Sequence, residues 1–312
     1  MHVTIAAQHS PHAPFLQSLL GPAHTVGTLA QLPATGPIVT DVLITTRLSA
    51  DEASRLQARL LHAPSAGLDA IARDALPADC LVCNVYEHET AIAEYVTHAI
   101  LQHQIFGFSG PAPMDAAHWP RAYRERPLHN EAAGTHVAIV GFGRIGRTTA
   151  RRLRALDMKV TAVTRHRRRE AGADATHAVS ALHELLPDVD FLLLCCPLTP
   201  GTRGMIGERE LAAMKPGAVL INVGRAHVVD EAALYQALRD GRLGGAVLDV
   251  WYHYPGAEAQ LAPSAFPFHT LPNVRCTPHI AAWTHGLIAR RYRFIARNIQ
   301  RLAAGEALEN RC

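Results

Sequence analysis

Residues 135–156 read THVAIVGFGRIGRTTARRLRAL, in which an apolar strand leads into a glycine-rich turn and then into a helix. The turn has the spacing G-x-G-x-x-G. The first glycine permits a tight turn, the second lets the backbone approach a pyrophosphate, and the third lets helix and strand pack closely. Backbone N–H groups at the helix start would face the phosphate charge. The stretch therefore predicts a dinucleotide site formed by Gly141, Gly143, Arg144, Ile145 and Gly146.

Further apolar strands surround this unit. Those that follow it are KVTAV (159–163), DFLLLCC (190–196), AVLINVG (218–224) and GAVLDV (245–250), and those that precede it are HVTIAA (2–7), DVLITT (41–46), RLLHAPS (59–65) and CLVCNVY (80–86). Helical stretches separate them, one opened by Ser49 with Glu52 as a capping box. Strands joined through single helices favour parallel sheets.

The predicted fold class is α/β, with two doubly wound parallel-sheet domains. A helix is predicted over 88–103 and an irregular connection over 107–134. We place the first domain at 1–100 with 286–312, and the dinucleotide-binding domain at 101–285. The chain ends in a long helix from about Thr284, whose arginines are interpreted as a solvated basic face opposite an apolar stripe. These are Arg290, Arg291, Arg293, Arg297 and Arg301.

Composition narrows the function classes. The 312 residues suggest two domains, and 48% hydrophobic content is enough for real cores. A formal charge of +3 gives no global reason to expect nucleic acid or an acidic membrane as a partner. No apolar run approaches the length of a membrane span, and the first residues lack a secretory pattern. Six cysteines fit a reducing cytoplasm, and the pair Cys80-x-x-Cys83 alone is weak support for a metal site, so none is predicted.

The end of the second strand decides the cofactor. An NAD site usually ends this strand with an acidic residue that binds the ribose 2′-hydroxyl, whereas KVTAV continues as Thr164-Arg165-His166-Arg167-Arg168-Arg169. Arg165 can bind a 2′-phosphate through several N–H donors, and Thr164 can donate a hydroxyl. We therefore predict NADP, with NAD as the alternative cofactor and a plain basic loop as the alternative interpretation.

Two later segments supply candidate catalytic residues. Arg225 follows a buried strand and a glycine, which places it at the strand's carboxyl edge, where open α/β sheets bind ligands. His279 follows a strand, and Pro278 fixes its local backbone. An arginine can hold a 2-oxo acid while a histidine supplies a proton. With the glycine turn, these residues indicate hydride transfer.

The chain resembles the D-isomer-specific 2-hydroxyacid dehydrogenase family over nearly its whole length. The motifs that carry the resemblance are SAGLD (65–69), TAIAEYV (90–96), GFGRIG (141–146), CCPLTPGTRGMIG (195–207), MKPGAVLINVGRAHVVDE (214–231), GAVLDV (245–250) and TPHIAAWT (277–284). The resemblance implies a flavodoxin-like substrate domain, completed by the C-terminal helix, beside a Rossmann cofactor domain. It also implies a homodimer.

The resemblance also implies residue roles. Arg225 would bind and polarise the substrate and His279 would be the acid/base. Backbone amides of Ser65, Ala66 and Gly67 would hold the substrate carboxylate, and Tyr86 and Trp283, with His88 and His253, would shape its pocket. Asp249 would orient the nicotinamide carboxamide. The other cofactor-binding candidates are Pro197, Thr202, Val223 and Gly224.

Tyr254 departs from the family pattern. The family usually has a glutamate there, paired with the catalytic histidine, and a phenol cannot act as a carboxylate at neutral pH. We therefore expect the pKa of His279 to lie near its unperturbed value of about 6.5. The leading hypothesis is an NADP-dependent oxidoreductase of small 2-oxo and D-2-hydroxy acids, with glyoxylate or hydroxypyruvate as first substrates. The alternatives are oxidation of another small anion such as formate, and a non-catalytic dinucleotide sensor.

Overall fold

The computed structural model describes residues 1–108, 110, 114–166, 169–255 and 261–312. The chain forms two compact units. The first comprises Met1–Glu87 and Thr284–Cys312, and the second comprises His88–Trp283. Both contain parallel sheets flanked by helices, which confirms the predicted fold class.

The elements of the described residues are numbered in chain order. The strands are β1 (His2–Ala6), β2 (Thr25–Leu29), β3 (Ile38–Val39), β4 (Val42–Ile44), β5 (Leu56–Gln57), β6 (Leu60–His62), β7 (Leu81–Cys83), β8 (His136–Val140), β9 (Lys159–Thr164), β10 (Ala175–Ala178), β11 (Phe191–Leu194), β12 (Val219–Asn222), β13 (Gly245–Leu248) and β14 (Val274–Cys276). The helices are α1 (Ala13–Leu20), α2 (Ala50–Ser54), α3 (Glu89–Phe106), α4 (Trp119–Arg124), α5 (Arg144–Arg154), α6 (Leu182–Leu185), α7 (Glu208–Ala213), α8 (Glu231–Arg239) and α9 (His285–Ala304).

The first unit is built on a parallel sheet with the strand order β2-β1-β4-β6-β7. This is the flavodoxin-like order, in which the chain starts near the middle and winds first to one side and then to the other. Val3 and Ile5 of β1 are fully buried, as the apolar run predicted. The predicted capping box is also present, since Ser49 accepts from the backbone N–H of Glu52 and the Glu52 carboxylate accepts from that of Ser49.

Helix α9 completes the first unit and packs through its apolar stripe. Thr284 caps its first turn by accepting from the backbone N–H of Leu287 at 3.1 Å. Arg293 and Arg297 are exposed, as predicted. Arg291, however, is only 7% exposed, so the prediction of a solvated basic face is wrong for this residue. The reason is helical phase: Arg291 is four residues after Leu287 and therefore shares its face.

The second unit is built on a parallel sheet with the strand order β10-β9-β8-β11-β12-β13-β14. Its chain winds from the central β8 to one side and then to the other, which is the Rossmann arrangement. All five residues of β8 are buried. Because every strand points the same way, the residues that follow β8, β9, β12, β13 and β14 emerge at one edge of the sheet.

The unit boundaries differ from those predicted. The sequence placed the first boundary after residue 100, within the predicted helix, whereas α3 lies wholly in the second unit. Ile92, Val96 and Ile100 of this helix pack with β8 residues in one apolar cluster, which explains the assignment. The second boundary lies two residues earlier than predicted. Helix α4 lies within the predicted connection, and β2 and β10 were not predicted.

The described residues were compared with the requirements of a membrane span, a metal site and a disulfide. None of their helices has the length and apolar character needed to cross a membrane. They contain no group of three histidine, cysteine or acidic side chains able to hold a metal ion. Cys80 and Cys83 are buried free thiols.

Candidate functional site

The glycine turn after β8 has the geometry that its spacing predicted. Gly141 has φ +96°, and a Cβ there would lie 2.7 Å from the backbone nitrogen of Cys196. A Cβ on Gly146 would lie 2.4 Å from the carbonyl oxygen of Gly141. Both positions therefore exclude any side chain. At Gly141 the chain that continues from β11 is too close, and at Gly146 the helix touches the turn.

Gly143 differs from these two glycines, because a Cβ there would meet nothing within 4 Å. Its absence of a side chain leaves open space beside the first turn of α5, which begins at Arg144. Its N-cap residue, Gly143, has no side chain that could cap the helix start. Exposed backbone N–H groups and open space together suit a pyrophosphate, so the turn fits the predicted dinucleotide.

The end of β9 carries the residues predicted to select the cofactor. The Thr164 hydroxyl donates to the carbonyl oxygen of His166 at 2.7 Å, which closes a short turn. Arg165 is exposed beside it. The first carboxylate after the strand, Glu170, is buried and forms an ion pair with Arg147 at 2.7 Å. Arg167 and Arg168 lie outside the described residues.

The loop after β11 contains Pro197 and Thr202. The Thr202 hydroxyl donates to the carbonyl oxygen of Pro197 at 2.8 Å and accepts from the backbone N–H of Thr199 at the same distance. This hydroxyl therefore shapes the loop. The role of both residues beside the cofactor stays a prediction.

Arg225 follows β12 in a turn organised by Asn222, a residue that sequence reasoning missed. The buried Asn222 amide donates to the carbonyl oxygen of Arg225 at 3.1 Å and accepts from the backbone N–H of Gly224 at 3.1 Å. A Cβ on Gly224 would lie 3.0 Å from the carbonyl oxygen of Cys196. The turn, which includes the buried Val223, thus holds Arg225 at the carboxyl edge of the sheet.

Asp249 organises the loop that carries His279. One carboxylate oxygen accepts from the Thr277 hydroxyl at 2.6 Å and from the backbone N–H of Ile280 at 2.8 Å, and the other accepts from the backbone N–H of Ala281 at 2.8 Å. His279 itself has φ +60°, a backbone conformation that is strained for a side-chain-bearing residue. The Asp249 contacts hold this conformation. Its predicted role toward the nicotinamide stays untested.

Two further side chains support the same loop through Thr277, and neither contact was predicted. The Tyr95 hydroxyl of α3 lies 2.7 Å from the Thr277 hydroxyl, and the Trp251 indole donates to the Thr277 carbonyl oxygen at 2.8 Å. The sequence had indicated only that Tyr95 lies on the apolar face of its helix. A buried tyrosine usually needs a hydrogen-bond partner, which is the signal that could have found it.

Tyr254 contacts His279, as expected from its place in the chain. Its hydroxyl lies 2.8 Å from Nδ1 of His279 and accepts from the backbone N–H of Trp251 at 3.2 Å. The Tyr254 hydroxyl can accept from Nδ1 of a protonated ring or donate to an unprotonated Nδ1, and in both cases Nε2 is the ring nitrogen left for another partner.

Burial favours the neutral form of His279. Desolvation lowers the pKa of His279, the Asp249 charge opposes this effect, and the Arg225 charge adds a smaller lowering. The pKa therefore lies below the ordinary value that we expected. Desolvation raises the pKa of Tyr254, so the phenol stays protonated at neutral pH.

The substrate candidates of the first unit lie after β6. The Ser65 hydroxyl donates to the carbonyl oxygen of Gly67 at 2.8 Å, and the Asn84 amide donates to that of Ala66 at 2.9 Å. In the described part of the chain, the backbone N–H groups of Ser65, Ala66 and Gly67 donate to no protein acceptor. Tyr86 of this unit is half-buried, and Trp283 of the second unit is 51% exposed.

Comparisons with known proteins agree with these features. Residues 109–281 match the family described as D-isomer specific 2-hydroxyacid dehydrogenase, NAD binding domain. A glyoxylate reductase of Thermococcus gammatolerans is 39% identical over 179 residues, which cover 57% of this chain and 52% of that protein. The chain thus spans about half the length of the curated relatives that it matches.

Two solved structures cover almost the whole chain. The NADPH-dependent glyoxylate/hydroxypyruvate reductase of Sinorhizobium meliloti, in complex with NADP and sulfate, has a TM-score of 0.79 and 27% identity over 100% of this chain and 98% of that one. A D-isomer specific 2-hydroxyacid dehydrogenase of Xanthobacter autotrophicus Py2, in complex with NADPH and MES, has a TM-score of 0.77 and 28% identity over 99% of this chain and 98% of that one.

Proposed function

Because the chain belongs to the D-isomer specific 2-hydroxyacid dehydrogenase family, as its motifs predicted, we propose that it transfers hydride between NADP(H) and a small 2-oxo or D-2-hydroxy acid. The observation that carries the proposal is the His279 loop. Asp249 fixes its backbone, Tyr254 directs the His279 ring, and the Arg225 charge is close enough to lower the pKa of His279.

In the direction of reduction, Arg225 binds the 2-oxo acid and polarises its carbonyl group. His279 donates the proton that the carbonyl oxygen gains as the hydroxyl forms. The Nε2 atom supplies this proton because Nδ1 faces the Tyr254 hydroxyl. Bound NADPH would supply the hydride. Asp249, through Ile280 and Ala281, keeps the His279 ring in place during the transfer.

Thr164 and Arg165 support NADP rather than NAD as the cofactor. The strand end offers the exposed guanidinium of Arg165 beside the Thr164 hydroxyl, which closes a turn to the His166 carbonyl oxygen. The first carboxylate, Glu170, is already paired with Arg147. A guanidinium pairs well with a 2′-phosphate. The Sinorhizobium meliloti and Xanthobacter autotrophicus structures contain NADP and NADPH, respectively, which adds to this support.

The substrate carboxylate is assigned to the first unit. Consecutive N–H groups without a protein acceptor form a concave anion-binding arrangement, and those of Ser65, Ala66 and Gly67 fit this description within the described residues. We assign Tyr86 and Trp283 to the substrate pocket. The first unit, Met1–Glu87 with Thr284–Cys312, would then be the substrate domain and the second the cofactor domain.

The experiment that tests the function is a panel of 2-oxo acids assayed with NADPH and NADH, together with formate. We expect glyoxylate or hydroxypyruvate to be reduced, faster with NADPH than with NADH. Tight NADPH binding with no turnover of any 2-oxo acid would instead support a dinucleotide sensor. If formate oxidation is the main activity, the substrate is formate and the proposed class of 2-oxo acids is wrong.

We also propose that the protein is a cytoplasmic homodimer. A series of large apolar side chains is exposed along the second unit between residues 105 and 128. They are Ile105, Phe106, Met114, Trp119, Tyr123 and Leu128. Exposed apolar side chains favour burial against a partner, and a second copy is the partner that the family resemblance implies. Light scattering should give a molar mass twice the 33.8 kDa of one chain for the wild type. The double variant Trp119→Asp/Tyr123→Asp should have the molar mass of a single chain.

A further inference from the structure

Arg291 is a buried cation. It lies on α9 with 7% of its surface exposed, and its Nε atom is enclosed without an acceptor from the part of the chain that the structure describes. Across the described residues its guanidinium forms neither a hydrogen bond nor an ion pair with any side chain or carbonyl group. Burial lowers the pKa of Arg291 to about 10, so the group is still charged at neutral pH.

Tyr292 follows Arg291 on α9, and His9 and His12 of the same unit lie within range of the Arg291 charge, which lowers the pKa of both. Nδ1 of His9 lies 3.4 Å from the hydroxyl of Tyr292, and the His12 ring packs on the Tyr292 ring with centroids 5.0 Å apart. His9 is 2% exposed, and its Nε2 atom has no hydrogen-bond partner among the described side chains and backbone groups. Burial and the Arg291 charge lower the pKa of His9 to about 4, so its ring is neutral.

Nε of Arg291 and Nε2 of His9 are thus two buried nitrogen atoms of one unit that lack a hydrogen-bond partner among the described residues. When Tyr292 donates to Nδ1 of His9, the proton of the neutral ring is on Nε2, for which the described residues provide no acceptor. Arg291 offers a planar set of N–H donors nearby. Leaving a buried charge and a buried donor unpaired is costly, and an anion would satisfy both.

The cluster lies where this type of sheet binds ligands. His9 and His12 lie in the 3-10 helix Ala7–His12, which follows β1 directly. The chain winds from β1 to β2 on one side and later to β4 on the other, so the carboxyl end of β1 is at the switch point of the sheet. Open parallel sheets bind ligands at this point.

We propose that Arg291, His9 and Tyr292 form a binding site for a compact oxyanion, a phosphate or carboxylate group, in the first unit. Arg291 pairs with the anion, Nε2 of His9 donates to it, and Tyr292 fixes the tautomer of His9. The oxyanion can come from two sources. It is either a free anion such as inorganic phosphate or the distal anionic group of a 2-oxo acid. The second source rests on the function proposed above.

The first test is titration of the full-length protein with inorganic phosphate, followed by calorimetry and thermal unfolding. Arg291→Leu removes the buried charge, and Arg293→Leu removes a charge from the exposed face of the same helix. At ten times the dissociation constant, phosphate should raise the Tm of the wild type and of Arg293→Leu by about 3–6 °C. Arg291→Leu should lack this binding event. Without phosphate, its Tm should equal or exceed that of the wild type, because an apolar side chain replaces an unpaired charge.

The second test separates the two sources. Glyoxylate is compared with 2-oxo acids that carry a distal carboxylate or phosphate, using the same variants. If the anion is part of the substrate, Arg291→Leu raises KM for the anionic substrates at least about tenfold and leaves glyoxylate unchanged. If the anion is free, KM for all substrates is unaffected by Arg291→Leu and only the phosphate response is lost.

The proposal is overturned if neither the phosphate response nor the substrate preference depends on Arg291. Normal glyoxylate reduction in that case leaves the proposed function intact. If no 2-oxo acid is reduced by the wild type, the phosphate titration decides alone. Should Arg291→Leu fail to fold, His9→Leu, which removes the Nε2 donor, carries the same tests.

Discussion

Two loops at the same edge of the seven-stranded sheet are built in opposite ways. The shape of the turn after β8 depends on the absence of side chains. Gly141 and Gly146 have no room for one, and Gly143 leaves an open space. The loop after β14 is defined by side chains, because Asp249 and Thr277 hold the strained backbone of His279. A pyrophosphate needs backbone N–H groups in an open turn, whereas a proton donor needs one ring held in one orientation.

This difference also separates the two tasks. The glycine turn would bind the dinucleotide with its backbone, and the His279 loop would act only on the substrate. Substitutions in one loop should therefore leave the task of the other intact, and the predictions below test how far this separation holds.

The largest effect is expected from His279→Ala and Arg225→Ala. A positioned acid/base contributes about 10²–10⁴-fold to a rate, so His279→Ala should lower kcat by that factor, and Arg225→Ala should also abolish most turnover. NADPH binding, followed by fluorescence titration, should persist in both. The exposed His269→Ala is the matched control. Near wild-type turnover in either variant would show that the catalytic assignment is wrong.

Arg165→Ala should have the next largest effect, confined to one cofactor. Loss of a charged hydrogen bond costs about 1.5–3 kcal/mol, which raises KM for NADPH about 10–150-fold while KM for NADH stays nearly the same. Arg169→Ala, an exposed arginine of the same loop, serves as the control. Equal losses with both cofactors would refute the assignment of Arg165 to the 2′-phosphate.

The same contrast explains what could be predicted from the sequence. The glycine turn depends on residues adjacent in the chain, so its spacing was enough to place it. The partners of His279 come from separate elements: Asp249 follows β13 and Tyr95 lies on α3. Only Tyr254 was expected beside His279, and that came from the family resemblance. Arg291 shows a second limit of sequence-based prediction. Its charge indicated an exposed side chain, but it lies on the buried face of its helix.

The glycines themselves give the third prediction. Gly141→Ala forces a side chain into the positive φ region and against Cys196, so it should lower the free energy of unfolding by about 1–3 kcal/mol or more. Gly143→Ala meets no protein atom within 4 Å and should change that free energy by less than about 0.5 kcal/mol. It should still weaken NADPH binding, because its methyl group occupies the open space. Urea unfolding and NADPH titration of both variants measure the two effects. If Gly143→Ala binds NADPH normally, the pyrophosphate lies elsewhere.

The smallest effect concerns Tyr254 and the pH dependence of reduction. Reduction needs protonated His279, and desolvation holds the pKa of His279 below 6.5 although the Asp249 charge opposes it. We therefore expect log(kcat/KM) for keto-acid reduction to fall as pH rises through a value below 6.5, rather than near it. Tyr254→Glu places a negative charge beside the ring, which favours the imidazolium, raises the pKa of His279 and moves the fall to higher pH.

Tyr254→Phe provides the matched control for that profile. It removes the hydroxyl that lies 2.8 Å from Nδ1 but keeps the ring, so it should change the profile much less than Tyr254→Glu does. Isotope effects must show that chemistry limits the rate. The rival partner is Glu258, which lies outside the described residues. A plateau that persists beyond about pH 8, unchanged in Tyr254→Phe but lost in Glu258→Gln, would contradict the phenol as partner of His279, because only a carboxylate keeps the imidazole protonated at that pH.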